Sequence, residues 1–514
     1  MTLHRLERTC KRAEPSHESL ANSIDETEYA ESESSAAATS SPESGRNNTA
    51  SLHDLARSAE KSLSPYSRTI ARLVQAIHDH CGLTEVEIAD IVGSEYIDHD
   101  SAGVFDEGTL YQYDPLQGLY IPLQKSTIAN FVYDLNGTSM PDKNEFKTSA
   151  RLASNVFIIV CDRHAETGFF RDAQHGVTVA NGFVLIRDGK IILEAFSADQ
   201  AQRHRVPIAL LDDAECPMTD EFLLRTLGDE EKVRLVYEIA GVALLGLGSK
   251  FQRAFVLIGP GSDGKSVILS LIKKLMPVGA FSAISPGELE MDYQRVPLAR
   301  SRLNAVGEFR GFNEKSWSQL KAVITGDPIS VRVPGCAGSE ICPKALHLFC
   351  TNKLQTKLPE TGNAVERRLR LIRCSNTVSE RDADRNLADR LFNAEAQGIL
   401  RRALEAASGV ISRGCYTDPQ SVRLETLGWI ASPATVFIRE GIVETRDQKD
   451  RVKASDLHNA CVDFCRKNKL LPPNERDLAS ALHDAGYESK KSSSMWWIGL
   501  KLVDGFQSRE HREV

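Results

Sequence analysis

The sequence lacks the features of an exported, disulfide-bridged or membrane-spanning protein. Its 11 cysteines include no C-x-x-C pair, so they are expected to be small buried residues of a reduced protein rather than bridges. No run of 18 or more apolar residues is present, which excludes a membrane-spanning helix and predicts no membrane partner. The basic residues at the start are not followed by the apolar stretch of a secretory signal. We therefore expect a cytoplasmic protein.

Positive charge is also scarce, because the 514 residues carry 62 Lys and Arg against 70 Asp and Glu. Residues 1–62 hold 7 of the basic and 11 of the acidic residues, and no Lys or Arg lies between Arg12 and Arg46. Such a segment buries too little apolar surface to offset its conformational entropy, so we predict a disordered acidic tail. This tail either keeps the protein soluble or has a specific docking role. The net charge of −8 does not favour nucleic-acid binding. A few basic loops that line a channel could still bind DNA, because the net charge of the whole chain does not reveal such local patches.

What the sequence does contain is a nucleotide phosphate motif within residues 254–276. An apolar run, a glycine-rich turn and an amphipathic helix follow one another, and Gly259, Gly264, Lys265 and Ser266 fill the pattern G-x-x-x-x-G-K-[ST]. The glycines keep Cβ atoms out of the turn, so main-chain N–H groups can close on the phosphates of ATP at a helix N-terminus. Lys265 is expected to reach the β- and γ-phosphates and Ser266 to hold Mg²⁺. The other nucleotide-binding positions of the loop are Pro260, Gly261, Ser262 and Asp263.

Two shorter apolar runs downstream end near polar residues that suit the γ-phosphate side of such a site. The first is followed by Glu308, which is expected to orient the attacking water or to hold Mg²⁺ through water. The second ends on Asn352, where a sensor residue would contact the γ-phosphate. Each signal is weak alone, because an acidic residue after a short strand is common and a strand-terminal Asn is also a turn-former.

Three arginines, Arg367, Arg368 and Arg370, follow the second run. A guanidinium supplied across a subunit boundary can stabilise the charge that develops on a transferred phosphoryl group. A solvated basic helix face is the alternative interpretation.

The order of these segments closely resembles the superfamily 3 helicases of phages, plasmids and DNA viruses, in the branch of phage and plasmid primase–helicases. The motifs that carry the resemblance are GPGSDGKS, LNAVGE, LKAVITGDPISVR and FCTNKLQTKLPETGNAVERRLRLI. The upstream stretch NGFVLIRDGKIILEAFSADQAQRHRVPIALLDDAECPMTDEFL also looks like the domain that precedes the motor in that branch. The resemblance covers about residues 100–503. It implies a ring-shaped homo-oligomer, a hexamer, that uses ATP and Mg²⁺ and holds single-stranded or forked DNA.

The resemblance also implies catalytic roles for individual residues. Lys265, Glu308 and Asn352 would act on the ATP of their own subunit, and Arg367 or Arg368 would act on the ATP of the neighbour. Arg368 is preferred, because it directly precedes the apolar Leu369.

The segment between the second and third motifs is implied to project a hairpin into a central DNA channel. Lys321 and Arg332 lie in this segment. Residues 334–343 lack the lysine expected in a DNA-gripping loop, so Arg332 and Lys344, which flank them, are the substitutes. Position 307 is glycine, so Glu308 supplies a single carboxylate where some relatives carry two. Metal binding is therefore expected to depend mostly on Ser266 and the phosphates.

Two helices are predicted near the C-terminus, the first capped by Ser455 and the second by Asn474. The apolar hairpin that follows carries Lys490 and Lys491 near its turn. Helix, turn, helix and basic hairpin resemble a winged-helix domain, which docks its second helix in a DNA groove or binds another protein.

The predicted fold class is α/β, with an AAA+-like P-loop ATPase core between a mixed α/β domain and a winged-helix domain. Hairpins are predicted at residues 109–122 and 182–196, the second turning at Asp188 and Gly189. The predicted division is a disordered tail over 1–62, a mixed α/β region over 65–248, the ATPase domain over 249–400, a helical linker over 401–445 and the winged-helix domain over 446–505.

The leading hypothesis is an ATP-dependent DNA helicase that replicates a phage, plasmid or integrated mobile element. The alternative is a DNA-binding replication initiator that uses ATP as an assembly switch without processive unwinding. Priming needs clustered acidic metal ligands on adjacent strands. After the acidic tail we find no D-x-D pair in a strand context, so a separate primase is the expected partner.

Overall fold

We describe residues 64–99, 101–332, 339–354, 363–376, 384–445, 447, 449–468 and 470–503 of a computed structural model. The tail predicted over residues 1–62 lies outside them. The chain divides into two compact units, one made of residues up to 115 and 120–172, the other of 116–119 and the residues from 173 onward. Within the described ranges, no helix combines the length and apolar character that crossing a membrane requires.

In the part of the first unit that the structure describes, four α-helices and a small antiparallel sheet pack around a core of their own. The helices are α1 (Pro65–His80), α2 (Glu85–Val92), α3 (Lys125–Asp134) and α4 (Ala150–Arg163), and the strands are β1 (Gly103–Asp106), β2 (Thr109–Asp114) and β3 (Leu119–Pro122). The strand order is β1-β2-β3, so the hairpin expected at residues 109–122 is present and gains a third strand. Leu73, Ile128 and Val156 are fully buried, because the apolar stripes of three helices meet in this core.

The second unit contains the phosphate motif. Its strands are β4 (Val177–Val179), β5 (Gly182–Arg187), β6 (Lys190–Glu194), β7 (Ala254–Ile258), β8 (Phe281–Ser282), β9 (Leu303–Val306), β10 (Ile329–Val331), β11 (Ser339–Ile341), β12 (Leu346–Thr351), β13 (Leu369–Arg373), β14 (Ile442–Glu444), β15 (Arg451–Lys453), β16 (Ser489–Lys491), β17 (Met495–Ile498) and β18 (Leu500–Leu502). Its α-helices are α5 (Pro217–Leu227), α6 (Glu230–Leu244), α7 (Gly248–Phe251), α8 (Lys265–Leu275), α9 (Glu314–Thr325), α10 (Asn363–Glu366), α11 (Leu387–Arg413), α12 (Gln420–Ile430), α13 (Pro433–Gly441), α14 (Ala454–Lys467) and α15 (Glu475–Asp484).

A five-stranded parallel sheet in the order β13-β7-β12-β9-β8 forms the centre of this unit. Strands β7, β9 and β12 are buried along their whole length, as expected in a sheet that is covered on both faces. The sequence of β7 is apolar throughout, whereas β9 also buries Asn304 and β12 also buries His347. The chain runs from β7 outward to β8, returns through β9 and β12, and then crosses β7 to reach β13. The carboxyl end of β7 is therefore the point where the strand order reverses, which is where open α/β sheets bind their ligands.

Helices α6 and α11 pack closely against each other beside this sheet. A Cβ atom added at Gly241 would lie 1.9 Å from the main-chain oxygen of Ala403, so only glycine allows the observed approach.

Helix α11 is kinked at Glu395, whose carboxylate accepts hydrogen bonds from the main-chain N–H groups of Met218 and Thr219, both at 2.8 Å. The kink thus places an acidic cap on the first turn of α5.

We expect Gly241→Ala to destabilise the protein by about 2–3 kcal/mol, because the two helices must separate to admit the methyl group. The midpoint of urea unfolding measures this. Gly287→Ala is the control, since a Cβ built there would meet no atom within 4 Å and the φ angle of Gly287 is −65°. Equal midpoints for the two variants would contradict the packing.

The C-terminal part of the second unit is built from α14, α15 and a three-stranded antiparallel sheet in the order β15-β17-β16. The predicted cap on the second helix is confirmed, because Asn474 Oδ1 accepts a hydrogen bond of 2.8 Å from the N–H of Asp477. The predicted cap on the first helix is wrong. That helix begins at Ala454, so Ser455 lies inside the first turn and its hydroxyl donates to Asp456 instead.

Candidate functional site

The glycine-rich turn joins the buried end of β7 to the first residue of α8. Gly261, Ser262 and Gly264 have φ angles of 112°, 49° and 83°, so the main chain passes through the left-handed region three times within four residues. At Gly264 a Cβ would also lie 2.9 Å from Thr226 of α5, so the close approach adds a second reason for glycine there. Such a turn directs successive N–H groups toward one point at a helix N-terminus, which is an anion-binding arrangement.

Lys265 is held inside this turn. Its Nζ donates to the main-chain oxygen of Gly259 at 2.9 Å and to both carboxylate oxygens of Asp263, at 2.7 and 2.5 Å. Both side chains are buried, with 6% and 3% exposure. Ser266, by contrast, is exposed on the first turn of α8.

Glu308 and Asn352 lie at the same edge of the sheet as this turn. In the parallel register Thr351 lies beside Ile258 and Phe349 beside Val306, so β7, β9 and β12 end together. The loop after β9 is fixed to β12 by a hydrogen bond of 2.7 Å from the N–H of Phe309 to the oxygen of Cys350. Glu308 and Asn352 are both exposed there, free of the core and able to face a ligand at the carboxyl edge.

Arg367 and Arg368 lie at the opposite edge. Leu369 pairs with Ala254, the first residue of β7, and the N–H of Ala254 donates to the oxygen of Arg368 at 2.7 Å. Five residues of strand span about 15 Å, which separates these arginines from the turn at the other end of β7. Arg367 is exposed, and the half-buried Arg368 donates from Nη1 to the oxygen of Ala364 at 3.0 Å.

Arg370 has a structural role. Its Nε and Nη2 donate to the two carboxylate oxygens of Asp418, at 2.7 and 3.1 Å, and the residue is 6% exposed. A guanidinium held in such a fork is not available to a ligand. Arg367 and Arg368 therefore remain the candidates for a role in phosphate chemistry.

The basic residues expected to contact DNA lie on two separate parts of the second unit. Strands β10 and β11 pair as an antiparallel hairpin, Arg332 is exposed directly after β10, and residues 333–338 lie outside the described ranges. Lys344 and Lys321 are half-buried, and Lys321 Nζ lies 5.9 Å from the centre of the Trp317 ring. Lys490 and Lys491 are exposed on β16.

The sequence did not predict that two of the buried cysteines lie beneath the turn. Cys350 lies on β12 and Cys374 follows β13, so they flank β7 on either side. Burial raises the pKa of each thiol to about 12, which keeps both protonated at neutral pH. They are apolar packing residues, and no nucleophile is added to the site.

Comparison with known proteins gives one family and a group of solved structures. A family model described as a family of unknown function, DUF5906, matches residues 257–385. This quarter of the chain contains the glycine-rich turn, Glu308, Asn352 and both candidate arginines. No curated protein sequence matches the chain.

The similar solved structures include three of the C-terminal region of NrS-1. One apo A-form structure is 12% identical and covers 72% of this chain and 78% of its own, with a TM-score of 0.42. An apo structure of its residues 305–718 is 13% identical and covers 78% and 97%, with a TM-score of 0.39. An A-form structure of the same region is 12% identical and covers 82% and 100%, also with a TM-score of 0.39. At TM-scores below 0.5 these similarities carry no argument about function.

Proposed function

We propose that this protein is an ATP-dependent DNA helicase of the superfamily 3 type, acting in the replication of a phage, plasmid or integrated mobile element. The observation that carries the proposal is the distribution of groups on one parallel sheet. A phosphate-type turn, a carboxylate and an amide meet at the carboxyl edge, and two arginines lie at the amino edge. This arrangement suits a site completed by a second copy of the chain.

The residues at the carboxyl edge fit a nucleoside triphosphate. The three positive φ angles of the turn and the start of α8 supply main-chain donors for phosphate oxygens, and Lys265 Nζ lies among them. Mg²⁺, when bound with ATP, neutralises charge on the β- and γ-phosphates. Ser266 is the hydroxyl that would hold it, and Glu308 would orient the attacking water. Asn352 would contact the γ-phosphate as a sensor.

The position of the arginines supports a ring. About 15 Å of strand separates Arg367 and Arg368 from the turn of their own subunit. If they contact a nucleotide, it would therefore be the nucleotide of the adjoining subunit. A head-to-tail contact of this kind repeats around a closed ring, which we propose to be a hexamer.

Single-stranded DNA would pass through the ring, contacted by the hairpin of β10 and β11. Arg332, Lys321 and Lys344 supply positive charge on and beside this hairpin. The order α14, α15, β16 and β17 is that of a winged helix, and Lys490 and Lys491 on β16 would contact duplex DNA at a fork.

ATP hydrolysis by the purified protein is expected to rise several-fold on adding single-stranded oligonucleotide, and its mass is expected to rise to that of a ring. Both follow because DNA and nucleotide would each favour the assembled form. Steady-state ATPase assays and light scattering, with and without nucleotide, measure these changes. A protein that stays monomeric and inactive with ATP, Mg²⁺ and oligonucleotide present would contradict the proposal.

A replication initiator that uses ATP only to assemble on DNA is the second candidate. The observation that favours it is the single carboxylate at Glu308, with glycine before it. Unwinding of a forked duplex separates the two functions, since only a helicase requires hydrolysable ATP for it. Equal strand separation with a non-hydrolysable analogue would favour the initiator.

A further inference from the structure

Asp263 is the only charged residue between Gly259 and Gly264. Its side chain does not point to solvent but folds back across the turn. Its Oδ2 lies 1.7 Å from where a Cβ at position 259 would stand, so the carboxylate fills the space beside Gly259. Only 3% of the side chain is exposed. The turn thus encloses an anion that belongs to the chain itself.

This carboxylate accepts from the donors that a phosphate would use. The main-chain N–H of Gly261 points to Oδ2 at 3.5 Å, and the main-chain N–H of Lys265 points to Oδ1 at 3.4 Å. The Nζ of Lys265 donates to both oxygens at 2.7 and 2.5 Å. Main-chain amides and this lysine are the groups that hold the β-phosphate in a glycine-rich turn of this kind.

We propose that the Asp263 carboxylate is an internal competitor for the phosphate site, and that a bound polyphosphate must displace it from Lys265 and the turn. The inference rests on the proposed function, since it assumes that nucleotide binds here. One set of donors cannot serve two anions at once. Two anions in contact also repel each other, so Asp263 must swing out when phosphate enters.

The charge, rather than the size, of Asp263 causes the competition. An asparagine would keep the shape of the side chain and an acceptor for Lys265, but it would neither hold the ammonium as strongly nor repel phosphate. Asp263 therefore weakens nucleotide affinity, and we expect it to weaken affinity equally for every ligand that presents a pyrophosphate group. A residue that contacted the base or ribose would not show this pattern.

The test compares the full chain with Asp263→Asn in calorimetric titrations with MgATP, MgADP and magnesium pyrophosphate. We expect Asp263→Asn to bind all three ligands about tenfold more tightly, which corresponds to about 1.4 kcal/mol. Asp213→Asn, which neutralises an exposed carboxylate in the turn before α5, is the matched control and should bind like the unaltered protein. Thermal unfolding verifies that the variants fold. If Asp263→Asn does not fold, Asp263→Ser is used in its place.

Each outcome bears on a separate claim. Tighter binding of all three ligands by the neutral variant supports the competition. Measurable binding by the neutral variant but not by the unaltered protein also supports it. Equal or weaker binding, beside measurable binding by the unaltered protein, overturns the competition and leaves the proposed function standing. An absence of binding by every folded variant overturns the nucleotide site itself.

Discussion

Replacing Lys265 by alanine is expected to lower ATP hydrolysis by about 10²–10³-fold. The Nζ of Lys265 lies among the main-chain donors of the turn, 2.9 Å from the oxygen of Gly259. Its loss removes a preorganised positive charge from the place where charge develops on the transferred phosphoryl group. Steady-state hydrolysis at saturating single-stranded DNA measures the effect.

Lys265→Ala also leaves the buried carboxylate of Asp263 without its ammonium partner, which destabilises the fold by about 3–5 kcal/mol when a buried pair is broken. The double variant Lys265→Ala with Asp263→Asn separates the two effects. It is expected to recover thermal stability while hydrolysis stays lost. Lys273→Ala is the control on the same helix, since Lys273 lies 4.6 Å from the Phe281 ring and takes no part in the turn. Unchanged hydrolysis by Lys265→Ala would remove this turn from the chemistry.

The sequence was a sufficient guide where structure depends on neighbouring residues. The hairpin of β5 and β6 is an example, because Asp188 and Gly189 have φ angles of 52° and 72° and so form the predicted two-residue turn. The buried strand β7 and the amphipathic helix α8 are others, since their apolar patterns reflect burial directly.

Distant contacts explain what the sequence did not predict. Arg370 lies close to Arg367 and Arg368 in the sequence, yet Asp418, forty-eight residues later, holds its guanidinium in the interior. Glu395 lies in a helical pattern, and the sequence did not predict the kink there or the contact of its carboxylate with the start of α5.

The candidate site likewise combines local features, which the sequence predicted, with features that depend on distant contacts, which it did not. The order of strand, glycine-rich turn and helix was predicted from the sequence, because the motif is local and main-chain geometry requires its glycines. Phosphate binding by this turn stays a prediction. The pairing of Asp263 with Lys265 was not predicted, because a spacing of two residues does not show which way a side chain folds. The positions of Glu308 and Asn352 at one edge depend on the parallel register of three strands. That register became known only from the structure.

Arg368→Ala is expected to lower the turnover number of ATP hydrolysis by about 10³-fold or more while leaving the affinity for ATP unchanged. Affinity would be retained because Arg368 lies at the amino edge, about 15 Å of strand away from the turn of its own subunit. Calorimetric titration and steady-state hydrolysis distinguish binding from turnover. Arg367→Ala is the companion variant, and the larger loss identifies the residue that acts.

Mixing two inactive variants tests whether this arginine acts between subunits. In a mixed ring, a subunit that carries Lys265→Ala together with the stabilising Asp263→Asn still offers its arginine to an Arg368→Ala neighbour, whose turn is intact, so that interface is complete. Hydrolysis is therefore expected to rise well above that of either variant alone, and to reach a maximum near equal amounts. A ring in which Arg368 served its own subunit could show no such recovery, because every subunit would then lack either the lysine or the arginine. Recovery is thus the result that ties the amino-edge arginine to a neighbouring phosphate site, and its absence at every ratio would contradict that assignment.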